Sequence, residues 1–153
     1  MSKLLVFLLS LALSMQSNRI QDSRLDDVVW QLSHVDGAPV STIPEQLTLR
    51  FDSLTYSFNY FGGTLICNYY VGRYDSAITG TLTVTTWSPT LALCSSEKDN
   101  FMENEFRSRI QKMSIYTVEV SGNRKNLYLY DLNNTELLRF TKLNKVSLPI
   151  VRR

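Results

Sequence analysis

The chain has 153 residues, of which 44% are hydrophobic and 20% are charged, so it can build one hydrophobic core and lacks the composition of a disordered chain. Its 16 lysines and arginines and 14 acidic residues give a net charge of +2. Beyond the terminal pair Arg152-Arg153, no basic stripe of the kind that binds nucleic acid is visible. One folded domain is expected, and nucleic acid is not an expected partner.

The chain begins with an apolar run over residues 4–13, which follows a single positive charge at Lys3. This arrangement is typical of a secretory signal peptide, and the run is too short to span a bilayer. We predict a signal peptide over residues 1–14, with cleavage as late as residue 17 as an alternative. A buried N-terminal helix is the competing interpretation. The mature chain is expected to be exported (secreted, periplasmic or cell-surface associated) and not stably inserted in a membrane.

Export favours a disulfide between Cys67 and Cys94, because thiols that mature in an oxidising compartment usually pair. Closing this loop would stabilise the fold by about 3.5 kcal/mol in the chain-entropy estimate. Two free thiols remain the alternative. A third interpretation makes Cys94 a nucleophile, since a thiol at a helix start can be activated.

Apolar and polar residues alternate along most of residues 28–143, which predicts a mainly β domain. Gly62-Gly63 is expected to break the third strand, and Gly72 to end the fourth. The fourth strand contains tyrosines on both faces, so the pattern does not indicate which face is buried. The predicted core positions of the first three strands are Trp30 and Leu32, then Leu47, Leu49 and Phe51, then Tyr56, Phe58 and Tyr60.

Residues 79–86 are rich in threonine and predict a further strand, after which the period changes. Met102, Phe106 and Ile110 are spaced four residues apart and predict one helix, with Phe101 and Met113 flanking its apolar face. Ser95 or Ser96 is expected to cap it. Three antiparallel strands should follow, separated by turns at residues 121–123 and 133–134, and residues 144–153 should form a loose tail. The predicted core positions of these strands are Tyr116, Val118 and Val120, then Leu127 and Leu129, then Leu138 and Phe140.

Three ordered motifs carry a resemblance to a known family. They are the run Cys67-Asn68-Tyr69-Tyr70-Val71-Gly72-Arg73-Tyr74, the spacing of Thr90 and Cys94, and Glu103 followed by Phe106. Over residues 27–143 the chain resembles the META/HslJ-like family. The resemblance implies a mainly β (α+β) fold, in which one helix packs on an antiparallel curved sheet or partial barrel. Members are linked to stress response, secretion or virulence, but the resemblance implies no catalytic residues, metal or cofactor.

Clustered tyrosines suggest the sharpest functional hypothesis. Tyr69, Tyr70 and Tyr74 could form an exposed surface that recognises a partner protein, because tyrosine offers a large contact area at low entropic cost. An aromatic core is the plainer alternative. Together with the resemblance, this favours a non-enzymatic interaction module of unknown partner and oligomeric state. The runner-up is a lipocalin-like carrier of a small apolar ligand.

Other candidate sites have weaker support. His34 is the only histidine and is expected to be a solvated turn residue, so neither a catalytic group nor a metal site is predicted, and no cofactor is expected. Glu103 is expected to be solvated or to cap the helix. Asn133-Asn134-Thr135 matches the glycosylation acceptor pattern, which makes Asn133 an acceptor if the source is eukaryotic.

Overall fold

The computed structural model describes residues 22–40, 47–55 and 58–143. The predicted signal peptide, Tyr56 and the predicted tail over residues 144–153 lie outside these ranges. Within them the chain forms nine strands and one helix. The elements are β1 (Val29–Val35), β2 (Ala38–Pro39), β3 (Thr48–Thr55), β4 (Phe58–Thr64), β5 (Tyr69–Asp75), β6 (Thr83–Pro89), α1 (Glu97–Ile110), β7 (Ile115–Ser121), β8 (Arg124–Tyr130) and β9 (Glu136–Lys142).

The strands form one antiparallel sheet that curls into a partial barrel. Its order is β6-β5-β4-β3-β1-β9-β8-β7, and the short β2 pairs with β1. The two outer strands approach each other at one end, where Thr81 bridges to Ile115 and the Tyr116 amide donates to the Gly80 carbonyl at 2.9 Å. The mainly β fold with a curved antiparallel sheet is therefore confirmed.

Helix α1 packs into the concave side of the sheet. Phe106 and Ile110 are buried, and the Phe106 ring lies 5.6 Å from that of Tyr70 and 6.3 Å from that of Phe140. Ser96 is the N-cap and accepts a hydrogen bond from the Asp99 amide at 3.1 Å. The predicted packed helix and its cap at Ser96 are confirmed.

Two helix positions differ from the predicted apolar face. Phe101 is 65% exposed, because it lies five residues before Phe106 and so about 140° away around the helix. Met102 is half-buried, whereas Glu103 is buried. The buried stripe therefore follows Glu103, Phe106 and Ile110 and begins with a carboxylate.

The predictions for the third and fourth expected strands, which correspond to β4 and β5, were wrong in three respects. Strand β4 continues through Gly62 and Gly63, and it buries Asn59 and Phe61, whereas Tyr60 on the opposite face is half-buried. Strand β5 continues through Gly72 to Asp75. A Cβ atom at Gly72 would lie 2.3 Å from the Phe61 ring, so this glycine makes room for a core aromatic residue and does not end the strand.

The strands after the helix match their prediction closely. Strands β7, β8 and β9 form an antiparallel meander in which Leu127 pairs with Phe140 and Leu129 with Leu138. All four of these side chains are completely buried. Val120 at the end of β7 is an exception, because it extends beyond the core and is exposed.

Candidate functional site

Strand β5 places its tyrosines on opposite faces of the sheet. Side chains alternate along a strand, so Tyr70 and Tyr74 point into the core and are 4% and 5% exposed, whereas Tyr69 is 67% exposed. The hypothesis of one exposed surface formed by all three tyrosines is therefore wrong for Tyr70 and Tyr74. Burial raises the pKa of the Tyr70 hydroxyl well above its usual range, and this hydroxyl donates to the Thr48 carbonyl at 2.7 Å.

A disulfide joins the turn before β5 to the loop before α1. Cys67 and Cys94 are bonded, and their Cα atoms are 5.5 Å apart, within the range that the bond requires. Residues 90–96, here called the β6–α1 loop, are thereby attached to the sheet. The bond occupies both thiols in this structure.

Asn68 holds the same loop through its side-chain amide. Its Nδ2 donates to the Ala92 carbonyl at 2.9 Å, and its Oδ1 accepts from the Ala92 amide at 2.8 Å. The Thr90 hydroxyl also donates to Oδ1, at 2.8 Å. Because Asn68 is only 2% exposed, these bonds replace the water that its amide would otherwise bind. The Asn68 side chain therefore gives the Ala92 amide and carbonyl the two hydrogen bonds that a neighbouring strand would otherwise provide.

Glu103 connects the helix to this arrangement. Its carboxylate accepts hydrogen bonds from the Cys67 amide at 2.7 Å and from Asn68 Nδ2 at 2.7 Å, and it pairs with Arg107 at 3.2 Å. Arg107 in turn donates to the Thr90 carbonyl at 3.0 Å. The expectation of a solvated or capping glutamate was wrong. Glu103 lies three residues before Phe106 on the buried stripe, and this helical spacing is the sequence signal that could have located it.

The site contains two cysteine sulfurs and a carboxylate, which are groups that can bind a metal ion, but the disulfide bond restricts this chemistry. The sulfur atoms of Cys67 and Cys94 and a Glu103 carboxylate oxygen lie within 4.8 Å of one another. A metal would need thiolates, and disulfide sulfur atoms do not supply them. His34 is half-buried in β1, so the expectation of a solvated turn residue was wrong. Its Nδ1 lies 3.0 Å from the Ser33 hydroxyl, which donates to the Arg139 carbonyl. This geometry supports a structural role for these residues.

Apolar side chains project from the anchored loop into solvent. Leu91 is 78% exposed and Leu93 is 91% exposed. Tyr69 lies beside them, because its amide donates to the Thr90 hydroxyl at 3.0 Å and its carbonyl accepts from the Thr90 amide at 2.9 Å. A depression of about 260 Å³, lined by residues 64–69, opens next to the disulfide. The site is therefore an apolar surface on a loop that a disulfide and buried hydrogen bonds hold to the sheet.

Comparison with known proteins agrees with this fold. The META domain profile matches residues 23–144. The chain belongs to the META domain family. A solved structure, "NMR structure of the protein from Burkholderia xenovorans", is similar with a TM-score of 0.59 and 22% sequence identity, over 79% of this chain and 85% of that chain. It supports the fold of this META domain alone. A comparison with curated proteins found no match.

Two further features concern export and modification. In the described part of the chain, no helix combines the length and the hydrophobicity needed to cross a membrane. Asn133 is exposed in the turn between β8 and β9, where its amide donates to Asp131 Oδ1 at 2.9 Å. Glycosylation at Asn133 stays a prediction.

Proposed function

We propose that this META domain is an exported, non-enzymatic binding module, in which the β6–α1 loop contacts a partner protein. One observation carries the proposal. Leu91 and Leu93 are the apolar tips of a loop whose backbone is held by the disulfide and by the buried side chain of Asn68.

The bonds that hold the β6–α1 loop in place make its exposed leucine side chains better suited to binding. A flexible loop loses conformational entropy when a partner orders it, which weakens association, whereas a preorganised loop avoids most of that loss. Burying two leucine side chains in a partner's pocket would contribute about 1.5 to 3 kcal/mol each. The partner is therefore expected to offer an apolar groove that receives Leu91 and Leu93, with Tyr69 at its edge.

Export and the absence of catalysis are parts of the same proposal. A disulfide is stable in an oxidising compartment, which supports secretion or placement at the cell envelope. The thiol that could have served as a nucleophile, Cys94, is one of the bonded pair. By family membership, we infer a role in stress response, secretion or virulence.

The carrier alternative receives less support from the interior of the sheet. A lipocalin-like carrier needs an internal cavity, whereas among the described residues the inner face carries large side chains that pack into one cluster. Those that are at most 1% exposed include Trp30, Phe51, Phe61, Phe106 and Phe140. We therefore favour binding through the outer surface.

Affinity capture from the extracellular or envelope fraction of the source tests the proposal. The mature protein is compared with the Leu91→Ser, Leu93→Ser double variant, and the matched control is Leu132→Ser, since Leu132 is 83% exposed in a distant turn. We expect a partner whose recovery falls at least about tenfold in the double variant and is unchanged in the control. Equal recovery with all three proteins would contradict a role for the loop.

A further inference from the structure

A second surface lies where the β7–β8 turn meets the end of β9. It is a pocket of about 310 Å³, and its lining combines three cationic side chains with three neutral hydrogen-bonding ones. The lining residues are Asn123, Arg124, Lys125, Asn126, Thr141 and Lys142. None of them is acidic. This pocket is called the basic pocket below.

Strand register brings two of its positive charges together. Asn126 pairs with Thr141, so the preceding Lys125 and the following Lys142 lie opposite each other across β8 and β9. Like charges at directly opposite positions of a sheet repel and destabilise the pair. A bound anion between the two ammonium groups would remove that repulsion.

These cations are not neutralised within the described residues. The salt bridges found there involve neither Arg124, Lys125 nor Lys142. In the sequence outside the described ranges, Glu45 is the one acidic residue. The positive charge is therefore available to a ligand.

Among the described residues, positive charge is concentrated around this pocket. Residues 121–126 and 141–143 hold three of the eleven described basic residues and none of the thirteen described acidic ones. The other described residues have eight basic and thirteen acidic side chains, and so a net charge of −5. This separation would orient the pocket toward an anionic ligand.

We propose that the basic pocket binds a phosphate group. The Arg124 guanidinium can donate two parallel hydrogen bonds to phosphate oxygens, and Lys125 and Lys142 supply point charges on either side. Asn126 and Thr141 alternate with Lys125 and Lys142 along their strands and so lie on the other face of the sheet, which leaves the Asn123 amide in the turn to satisfy a further oxygen. A free phosphate ester and a lipid headgroup both present this chemistry, and the proposal is independent of the partner assigned to the β6–α1 loop.

The test uses inorganic phosphate and lipid vesicles as two separate probes. Both are used at 0.15 M salt, where interactions between exposed charges are screened beyond about 8 Å. Amide NMR spectra are recorded as phosphate is added. Flotation with vesicles of phosphatidylglycerol and phosphatidylcholine is compared with flotation on phosphatidylcholine alone. We expect phosphate to shift the amides of residues 123–126 and 141–142, or the anionic vesicles to retain the protein. Shifts without flotation identify a free phosphate ester as the ligand class, and flotation identifies a headgroup.

A matched pair of double variants makes the test specific. Lys125→Gln with Lys142→Gln should weaken binding about thirtyfold, since each lysine near an anionic surface contributes about fivefold. Lys98→Gln with Lys112→Gln removes the same charge from exposed positions at the two ends of α1 and should leave binding within about twofold. Thermal unfolding of both variants checks that they fold. The proposal is overturned if neither probe binds, or if both double variants lose binding equally.

Discussion

The end of the partial barrel that carries the Cys67–Cys94 disulfide (the disulfide end) and the end that carries the basic pocket (the basic end) use polar side chains in opposite ways. At the disulfide end, Asn68 and Glu103 are buried, and their hydrogen bonds hold the β6–α1 loop against the sheet and helix. At the basic end, Lys125 and Lys142 face each other near solvent, with no salt bridge among the described residues. Buried polar groups with partners fix a backbone, whereas unpaired exposed charges remain free for a ligand.

The largest expected effect lies at the disulfide end. Replacing Glu103 with alanine leaves the Cys67 amide, Asn68 Nδ2 and Arg107 without their shared acceptor, and should lower the free energy of unfolding by about 3 to 5 kcal/mol. Glu105→Ala is the matched control, because Glu105 is a partly exposed member of an ion pair with Arg109 and should cost no more than about 1 kcal/mol. Urea denaturation measures both. Similar losses of unfolding free energy in the two variants would contradict the expectation that the buried Glu103 carboxylate stabilises the fold more than the partly exposed Glu105 carboxylate.

Removing the disulfide should have the next largest effect. The Cys67→Ser, Cys94→Ser double variant is expected to lose about 2 to 4 kcal/mol of unfolding free energy, because the unfolded chain regains the entropy of an open loop. Asn68 and Glu103 should still hold the loop in the folded state. Amide hydrogen exchange in residues 90–96 would therefore rise only moderately in the variant. Complete loss of protection in this loop alone would show that the disulfide, and not the buried polar side chains, fixes it.

A smaller effect should appear at alkaline pH and distinguish the tyrosines of the two regions. Burial raises the pKa of Tyr70 above that in the unfolded chain, so the folded state keeps a proton that the unfolded state loses. Stability is then fully present below about pH 10 and falls above it, by at most about 1.4 kcal/mol per pH unit for this group. In the β7–β9 meander, Tyr128 has its pKa raised chiefly by its hydrogen bond to Glu119, with little burial.

Urea midpoints at pH 9, 10 and 11 check this expectation. Tyr70→Phe should be less stable than the parent at pH 9, because it lacks the hydrogen bond to Thr48, but its midpoint should fall less between pH 10 and 11. Tyr128→Phe should follow the pH dependence of the parent more closely. If the slope between pH 10 and 11 is the same in Tyr70→Phe and the parent, Tyr70 does not carry the alkaline sensitivity.

Much of the fold followed from residue patterns, whereas the candidate sites followed only in part. The meander could be predicted because Leu127, Leu129, Leu138 and Phe140 alternate with polar residues and turns separate them. The helix could be predicted because Phe106 and Ile110 share one face. Gly72 misled the prediction, since a glycine that ends a strand and one that admits a neighbouring ring are the same in the sequence. Glu103 was misplaced because a carboxylate is ordinarily expected in water.

The sequence by itself determined the class of the domain, its family membership, the helix position and the pairing of its two cysteines as the preferred state. Local periodicity and short motifs suffice for these, because they depend on neighbours along the chain. Tertiary structure decided which face of β5 is buried, that Glu103 supports the β6–α1 loop, and that Lys125 faces Lys142. Each of these depends on strand register or on a contact between residues far apart in the chain, and register is settled only when strands pair around a common core.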